Sequence, residues 1–329
     1  MTRVLVTGGS GFIGNHLVSA LVARGRKVRV LDLRRPAHAL PEVQYFEGSV
    51  LDPDLVDKSL CGVDRVYHLA GLPGMWMPRK NDFHAVNCEG TEIVIAAARK
   101  RGIARFLHCS TESILFRSSA LEDPEHAPLS ADQMPGRYTR SKMLAEQLAL
   151  QAAASGFSVV IGTPTMPIGV HDHSLTPPTA MLRHFLGGRL QLYLDFVVNL
   201  VDVRDVAAGL ILAMERGQVG HRYILGGESI PLKKILRLVA AIRDRRNLHM
   251  RVPGALAETA AAMLELIADH VTRRPPSATA EGVRIARRAS ALSIEKAQLE
   301  LGYLPRPVEP ALRDTIAHLL GARGNGQGL

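Results

Sequence analysis

Short runs of apolar residues, each followed by a longer stretch with helical spacing, recur along the first half of the chain. Residues 4–7 read as a buried strand, and residues 12–24 as a helix that closes near Gly25. Residues 28–33 and 43–47 give a second and a third strand, and Asp52-Pro53 opens a short helix. A fourth strand at 65–70 leads to a long helix over 83–101, with Gly102 at its C-cap. A fifth strand covers 106–110. Residues 138–154, rich in Ala, Leu, Glu and Gln, form a helix closed by Gly156, and 159–161 form a sixth strand. Beyond Pro164 the pattern loosens. Loops rich in Pro, His and Thr (167–179) precede a helix, 201–216 read as a short strand feeding a helix, and 223–225 as another strand. From Pro231 onward the chain is mostly helical, and 321–329 look like a frayed tail. Strands alternating with helices predict right-handed crossovers and a doubly wound parallel sheet covered on both faces.

Composition narrows the class. The 329 residues are 47% hydrophobic and 22% charged, which excludes a disordered, collagen-like or disulfide-stapled chain. Cys61, Cys88 and Cys109 show no CxxC spacing, so neither a zinc site nor a disulfide framework is expected, and a reducing, cytoplasmic setting fits. The formal charge of +9 comes from 40 basic against 31 acidic residues. It reads either as solvated helix faces or as attraction of anions. Aromatic residues are only 5%, and no basic stretch is interleaved with stacking residues, so no nucleic-acid partner is expected. No signal peptide and no membrane span are predicted. The longest apolar candidate, 255–271, is interrupted by Glu258, Glu265 and Asp269, and the basic helical C-terminal region shows no clear amphipathic signal for a membrane surface.

Chemistry enters at the first turn. Gly8, Gly11 and Gly14 form a GxxGxxG pattern between the first strand and first helix. One glycine permits the turn, one lets backbone approach a pyrophosphate, and one lets helix and strand pack closely. The free N–H groups of the helix start, around Phe12 and Ile13, add a positive dipole end. Asp32, eighteen positions past Gly14 at the end of the second strand, is placed to accept the adenosine ribose hydroxyls. That carboxylate favours NAD, whereas Arg34 and Arg35 directly after Leu33 are able to clamp the 2′-phosphate of NADP; NAD is preferred. Ser49 and Val50, after the third strand, border the adenine. The expected architecture is therefore α/β: a Rossmann-type doubly wound parallel sheet over 1–169, onto which 197–226 packs back. A smaller, mostly helical substrate lobe is built from 170–196 and 227–320.

Tyr138 and Lys142 are four apart and share one helical face. A tyrosine near pKa 10 is a poor base, and a nearby ammonium favours its phenolate. Tyr138 is thus a candidate acid/base, and Lys142 also reaches toward a nicotinamide ribose. The fifth strand ends in Cys109-Ser110-Thr111, where the Thr111 hydroxyl can bind the substrate oxygen that Tyr138 protonates.

TGGSGFIG (7–14), the Asp32 strand end, YHLAG (67–71), NCEGT (87–91), the strand ending at Ser110-Thr111, YTRSK (138–142) and VDVRDVA (201–207) occur in that order. Over nearly its whole length the chain resembles the extended short-chain dehydrogenase/reductase superfamily, the group of NAD-dependent epimerases and dehydratases. The resemblance implies that Thr111, Tyr138 and Lys142 are catalytic, and that Asn87 lies on the helix beneath the site. It implies that Ala70 and Gly71 pass the cofactor pyrophosphate, that Pro164 and Thr165 lie beside the nicotinamide, and that Leu69, Cys109 and Ser110 complete the cofactor contacts. It also implies a homodimer through the helices at 83–101 and 138–154. The segments 164–179, 199–209, 222–228 and 293–316 are similar to the hopanoid-associated sugar epimerase group, near dihydroflavonol reductases. Nucleotide-sugar epimerases often carry arginine where this chain has Thr163, before Pro164.

The leading expectation is an NAD(P)-dependent oxidoreductase that interconverts a secondary alcohol and a carbonyl on a small, partly apolar molecule. An NAD-dependent sugar epimerase or dehydratase with a recycled cofactor is the alternative. A non-catalytic dinucleotide sensor would need neither Tyr138 nor Lys142. The apolar loop 71–78, with Met75 and Trp76, either contacts substrate or packs on the C-terminal lobe. Glu112, Ser113 and Met166 are further substrate candidates. The Cys109 thiol reads as structural, His68 as a core or supporting histidine, and His171, Asp172 and His173 as ordinary loop residues rather than metal ligands.

Overall fold

The computed structural model describes residues 2–115, 130–187, 190–243 and 248–324. Its first half contains β1 (Arg3–Thr7), α1 (Phe12–Ala23), β2 (Lys27–Asp32), β3 (Gln44–Glu47), α2 (Pro53–Leu60) and β4 (Arg65–His68). Then come α3 (Asp82–His84), a π-helical turn (Ala85–Glu89), α4 (Gly90–Lys100), β5 (Arg105–Cys109), α5 (Arg137–Ala154) and β6 (Val159–Pro164). The second half contains β7 (Met166–Ile168), α6 (Pro177–Phe185), β8 (Leu190–Tyr193), β9 (Val197–Asp202), α7 (Val203–Arg216), β10 (Arg222–Leu225) and β11 (Glu228–Pro231). It ends with α8 (Leu232–Ile242), β12 (Leu248–Arg251), α9 (Gly254–Ile267), a π-helical turn (Ala268–Thr272), α10 (Ala280–Arg288) and α11 (Val308–Gly324).

Seven strands form one sheet in the order β10-β6-β5-β4-β1-β2-β3, and every pairing in it is parallel. The chain steps outward from β1 to β3, then returns to place β4 on the other side of β1. That reversal opens a crevice at the carboxyl ends of β1 and β4. Each strand feeds both faces. Val4 and Val6 of β1 pack toward α1 and α7, and Leu5 toward α2, α4 and α5. The sheet is a Rossmann-type, doubly wound one.

A third layer covers the carboxyl edge. There β7, β9 and β11 make a small mixed sheet whose core joins α6, α8 and α11. The sequence pattern under-reads this region. Residues 197–200 complete a strand that the pattern starts at 201, because polar Asn199 interrupts the apolar run; Asn199 is paired to the Gly227 backbone N–H at 2.9 Å and to Ser229 Oγ at 2.9 Å. The mostly helical stretch after Pro231 is also interrupted by β12, which pairs with β8. The helix expected over 83–101 is divided by the π turn that contains Asn87. Helix α11 runs to Gly324, so the segment expected to fray from Gly321 begins as helix, and 325–329 lie outside the described residues.

Candidate active site

The glycine turn is sterically committed. Gly8 has φ +71°, and a Cβ there would stand 2.6 Å from the Ala70 nitrogen; a Cβ on Gly14 would collide with the Gly8 carbonyl and stand 2.7 Å from Gly9 Cα. Gly8 N–H bonds to the Leu31 carbonyl at 2.9 Å, and Gly11 N–H to the Gly8 carbonyl at 3.1 Å. Helix α1 starts after Gly11 with no side-chain cap, so its first N–H groups keep their bonding capacity. Phe12 is buried, and Ile13 packs against the core on the same side of the sheet. Asp32 closes the turn: its carboxylate accepts the Ser10 N–H at 2.9 Å and the Leu33 N–H at 2.7 Å. Leu33 and Arg34 are exposed. The Arg35 guanidinium lies 5.0 Å over the Tyr45 ring and 4.0 Å from Glu47. Past β3, the Ser49 hydroxyl accepts the Leu51 N–H at 3.1 Å, and Val50 is buried beside Gly90.

A buried polar chain joins this turn to α5. Leu69 N–H bonds to the Thr7 carbonyl at 3.0 Å, and Ala70 N–H to the Thr7 hydroxyl at 3.3 Å. The Thr7 hydroxyl meets His68 Nδ1 at 2.7 Å, and His68 Nε2 meets the Thr91 hydroxyl at 2.9 Å. Thr91 donates its own proton to the Asn87 carbonyl at 2.6 Å. It therefore accepts from His68 Nε2–H, and Thr7 donates to Nδ1, which assigns a neutral tautomer. Burial, with Lys142 adding to it, pushes His68 down to about 3, in agreement. Beyond Gly71, Asn87 accepts the Leu72 N–H at 2.7 Å and donates to Ser141 Oγ at 2.9 Å; Ser141 in turn donates to the Tyr138 carbonyl at 2.7 Å. The π turn thus carries a fully buried amide that fixes the loop after β4 against α5.

At the head of α5 Phe83 meets the Tyr138 ring edge-on, 6.1 Å between centroids, and the Thr111 side chain is the neighbour that favours the Tyr138 phenolate. Burial pushes the phenol up to about 12 despite the opposing pull of Thr111. The expected help from a neighbouring ammonium is absent in this state: Lys142 is not among the groups that shift the phenol, and burial is the largest cause. Lys142 is buried, its Nζ donates to the Cys109 carbonyl at 2.8 Å, and burial lowers its pKa. Cys109 thus offers a carbonyl at this site, and burial pushes its thiol up to about 11, which keeps it an inert thiol. Ser110 holds the β6 backbone through Gly162 at 2.8 Å, and its hydroxyl is buried without a hydrogen-bond partner. Thr111 caps the short turn that follows, its hydroxyl 3.3 Å from both the nitrogen and the Oγ of Ser113. Pro164 ends β6 opposite Leu225, and Thr165 is buried with its hydroxyl unpartnered.

The substrate candidates divide. Of the two readings of loop 71–78, packing on the C-terminal lobe is the one realised at Trp76. That ring is buried, its Nε1 donates to Asp269 at 2.7 Å, and Lys80 stands 4.9 Å over it. Met75 packs with Ile114, Leu115, Met143 and Ile285 beside the β5 end. Glu112 is buried rather than presented to the crevice, one carboxylate oxygen has no partner, and burial pushes its pKa well above the usual range. Ser113 stays at the Thr111 hydroxyl, and half-buried Met166 lies on β7.

The pattern analysis does not single out Glu281 of α10. Its carboxylate accepts the Thr139 N–H at 2.8 Å, the Thr139 hydroxyl at 2.7 Å and the Tyr138 N–H at 3.3 Å. Glu281 lies 143 positions from Tyr138, so no local spacing reveals it. Among the described residues no group of three or more His, Cys, Asp and Glu is arranged to hold a metal ion, and no helix is long and apolar enough to cross a membrane.

A family model for the NAD dependent epimerase/dehydratase family matches residues 4–226. A putative dihydroflavonol 4-reductase of Synechocystis sp. is 33% identical over 320 residues, which cover 94% of this chain and 92% of that protein. The 4-hydroxy-2-methyl-3-oxo-4-farnesyl-3,4-dihydroquinoline-1-oxide ketoreductase of Stigmatella aurantiaca is 33% identical over 341 residues, 98% of each chain. The crystal structure of gox2253 superposes with a TM-score of 0.81 at 31% identity, over 100% of both chains.

Proposed function

The chain belongs to the NAD-dependent epimerase/dehydratase family, and from that premise we propose that it is an NAD(P)-dependent oxidoreductase that interconverts a secondary alcohol and a carbonyl. The observation that carries this reading is the gathering of Thr111, the Tyr138 phenol and Lys142 at the carboxyl end of β5, with Lys142 buried one turn further along α5 and bonded to the Cys109 carbonyl. These residues lie across the sheet edge from a glycine turn whose missing Cβ atoms leave a cradle.

The residues present fit a dinucleotide. The uncapped start of α1 and the turn 8–14 would hold the pyrophosphate, Asp32 the adenosine ribose, and Lys142 the second ribose. When bound, the nicotinamide would supply or accept the hydride. Tyr138, kept protonated by burial at neutral pH, would donate its proton to the carbonyl oxygen of a ketone, while Thr111 holds that oxygen in place. NAD is favoured over NADP because Asp32 is anchored at the ribose position and Arg35 is drawn onto Tyr45 and Glu47.

The apolar cluster of Met75, Ile114, Leu115 and Met143 beside Thr111 supports a partly apolar substrate. So do the relatives, one named for a dihydroflavonol and one for a farnesyl-bearing 3-oxo compound. The same reading has the enzyme as a cytoplasmic homodimer packed through α4 and α5. The test is to denature purified protein, identify any released dinucleotide, and follow NADH and NADPH consumption with a panel of apolar ketones. Exchangeable cofactor with net NADH consumption is expected. Retained NAD with no net consumption would point to epimerase or dehydratase chemistry, and absence of dinucleotide binding would overturn the enzyme reading.

A further inference from the structure

Helix α9 and the π turn that continues it turn their apolar side outward. Leu256, Met263, Leu264, Ile267 and Val271 fall at i, i+7, i+8, i+11 and i+15, one stripe along one face. They are 62%, 61%, 37%, 47% and 75% exposed, and Leu266 beside them is 59% exposed. The stripe runs roughly 22 Å along the helix axis at about 1.5 Å per residue.

The acids of this helix lie on other faces. Glu258 is held by Arg284 and Arg287 of α10, each at 2.6 Å, and Asp269 by Lys80 at 2.8 Å and Trp76 at 2.7 Å. Buried Ala261 and Ala268 make the inner contact. Because that inner face is built of alanine rather than of polar residues, the sequence shows little contrast around the helix, and only the fold reveals which side is wet.

Contiguous exposed apolar surface of this kind marks a docking site, and the charges around it indicate the partner. No carboxylate lies on the stripe. At its C-terminal end Arg273 and Arg274 are exposed and make no ion pair among the described residues, and exposed His270 lies on the same turn. A helix with an exposed apolar stripe and a cationic end matches the interface of a bilayer that contains anionic lipid.

We propose that α9 is a membrane-docking helix. Its stripe lies at the acyl boundary, and Arg273 and Arg274 meet the headgroup phosphates. The helix also grips the loop after β4 through Asp269–Trp76, and α10, packed on it, caps α5 through Glu281. Docking would therefore place the substrate entrance beside the lipid, where a partly apolar substrate concentrates. The docking does not depend on the reaction proposed above.

The test is flotation of the full chain with vesicles of phosphatidylcholine alone and of phosphatidylcholine with phosphatidylglycerol. The protein is expected to float with the anionic vesicles and to be released by salt. A Met263→Ser/Ile267→Ser/Val271→Ser variant should lose at least about tenfold in partition, and Arg273→Glu/Arg274→Glu a comparable amount. Both variants should bind dinucleotide as the unaltered protein does, which shows an intact fold. No flotation, or flotation indifferent to both sets of substitutions, would overturn the proposal. So would a loss of self-association in the triple variant, since a second copy of the chain would then be the occupant of the stripe.

Discussion

The Glu281 carboxylate, on α10, caps the helix that presents Tyr138, accepting the Thr139 N–H at 2.8 Å and the Tyr138 N–H at 3.3 Å. Gly136, which precedes the helix, has no side chain to serve as the cap, and a Cβ there would strike Glu281. The C-terminal lobe therefore positions the proposed acid/base through the backbone rather than through the phenol.

Replacing Glu281 by Ala removes acceptors from two backbone N–H groups and one hydroxyl. The expected loss of stability is about 1–2 kcal/mol in urea unfolding, the cost of a lost helix cap. As a positioning residue it should lower kcat more than it raises the KM for cofactor. A variant with full kcat would show that Tyr138 does not depend on the lobe for its placement.

Tyr138→Phe keeps the ring contact with Phe83 and deletes only the phenol oxygen. Turnover should fall by roughly 10²–10⁴-fold, the usual contribution of a positioned acid/base. Dinucleotide affinity, read by fluorescence titration, should hardly change. Thr111→Val should lose less, because it removes an oxygen-holding group and leaves the proton donor. Undiminished turnover in Tyr138→Phe would remove the acid/base role.

How much of this was legible in the sequence follows from the range of each interaction. The glycine turn, Asp32, and the Tyr138/Lys142 spacing are local, and the strands of the main sheet read as apolar runs because both faces are buried. The His68–Thr91 and Asn87–Ser141 links escaped because they join residues 23 and 54 positions apart; only the Thr91–Asn87 bond between them is local. Trp76 could be read two ways until its partner, Asp269, 193 positions away, was placed. The third layer was under-read because its strands are short and interrupted by polar residues such as Asn199, which are satisfied only by the fold.

Cofactor choice rests on Asp32 and its neighbours. Asp32→Ser removes the charge that would repel a 2′-phosphate and keeps a group able to bond the Ser10 N–H. The protein is expected to bind NADH more tightly than NADPH, and the variant should lose that preference, a change of about tenfold or more. A further Glu47→Gln substitution, which frees Arg35 from its partner, should move the variant toward NADPH. An unchanged NADH/NADPH ratio in both would show that the ribose is read elsewhere.

Glu112 makes the last prediction, from pH. It follows Thr111, is buried, and has one carboxylate oxygen without a partner; burial pushes its pKa well above the usual carboxylate range. A carboxyl whose folded-state pKa is raised favours the fold while protonated. That contribution is complete below the unfolded pKa and is lost as pH rises through the folded one. Glu112→Gln mimics the protonated form at every pH. The two proteins should therefore be equally stable in acid. The unaltered protein should then fall behind by up to about 1.4 kcal/mol per pH unit from the ordinary carboxylate range upward, until the folded-state pKa is passed. Urea midpoints measured across pH decide it. A difference that does not vary with pH would mean that the folded-state pKa of Glu112 is not raised above its unfolded value. The charge also acts on Tyr138, whose phenol it helps to push up, so the variant should titrate that phenol at a lower pH in the cofactor-free protein.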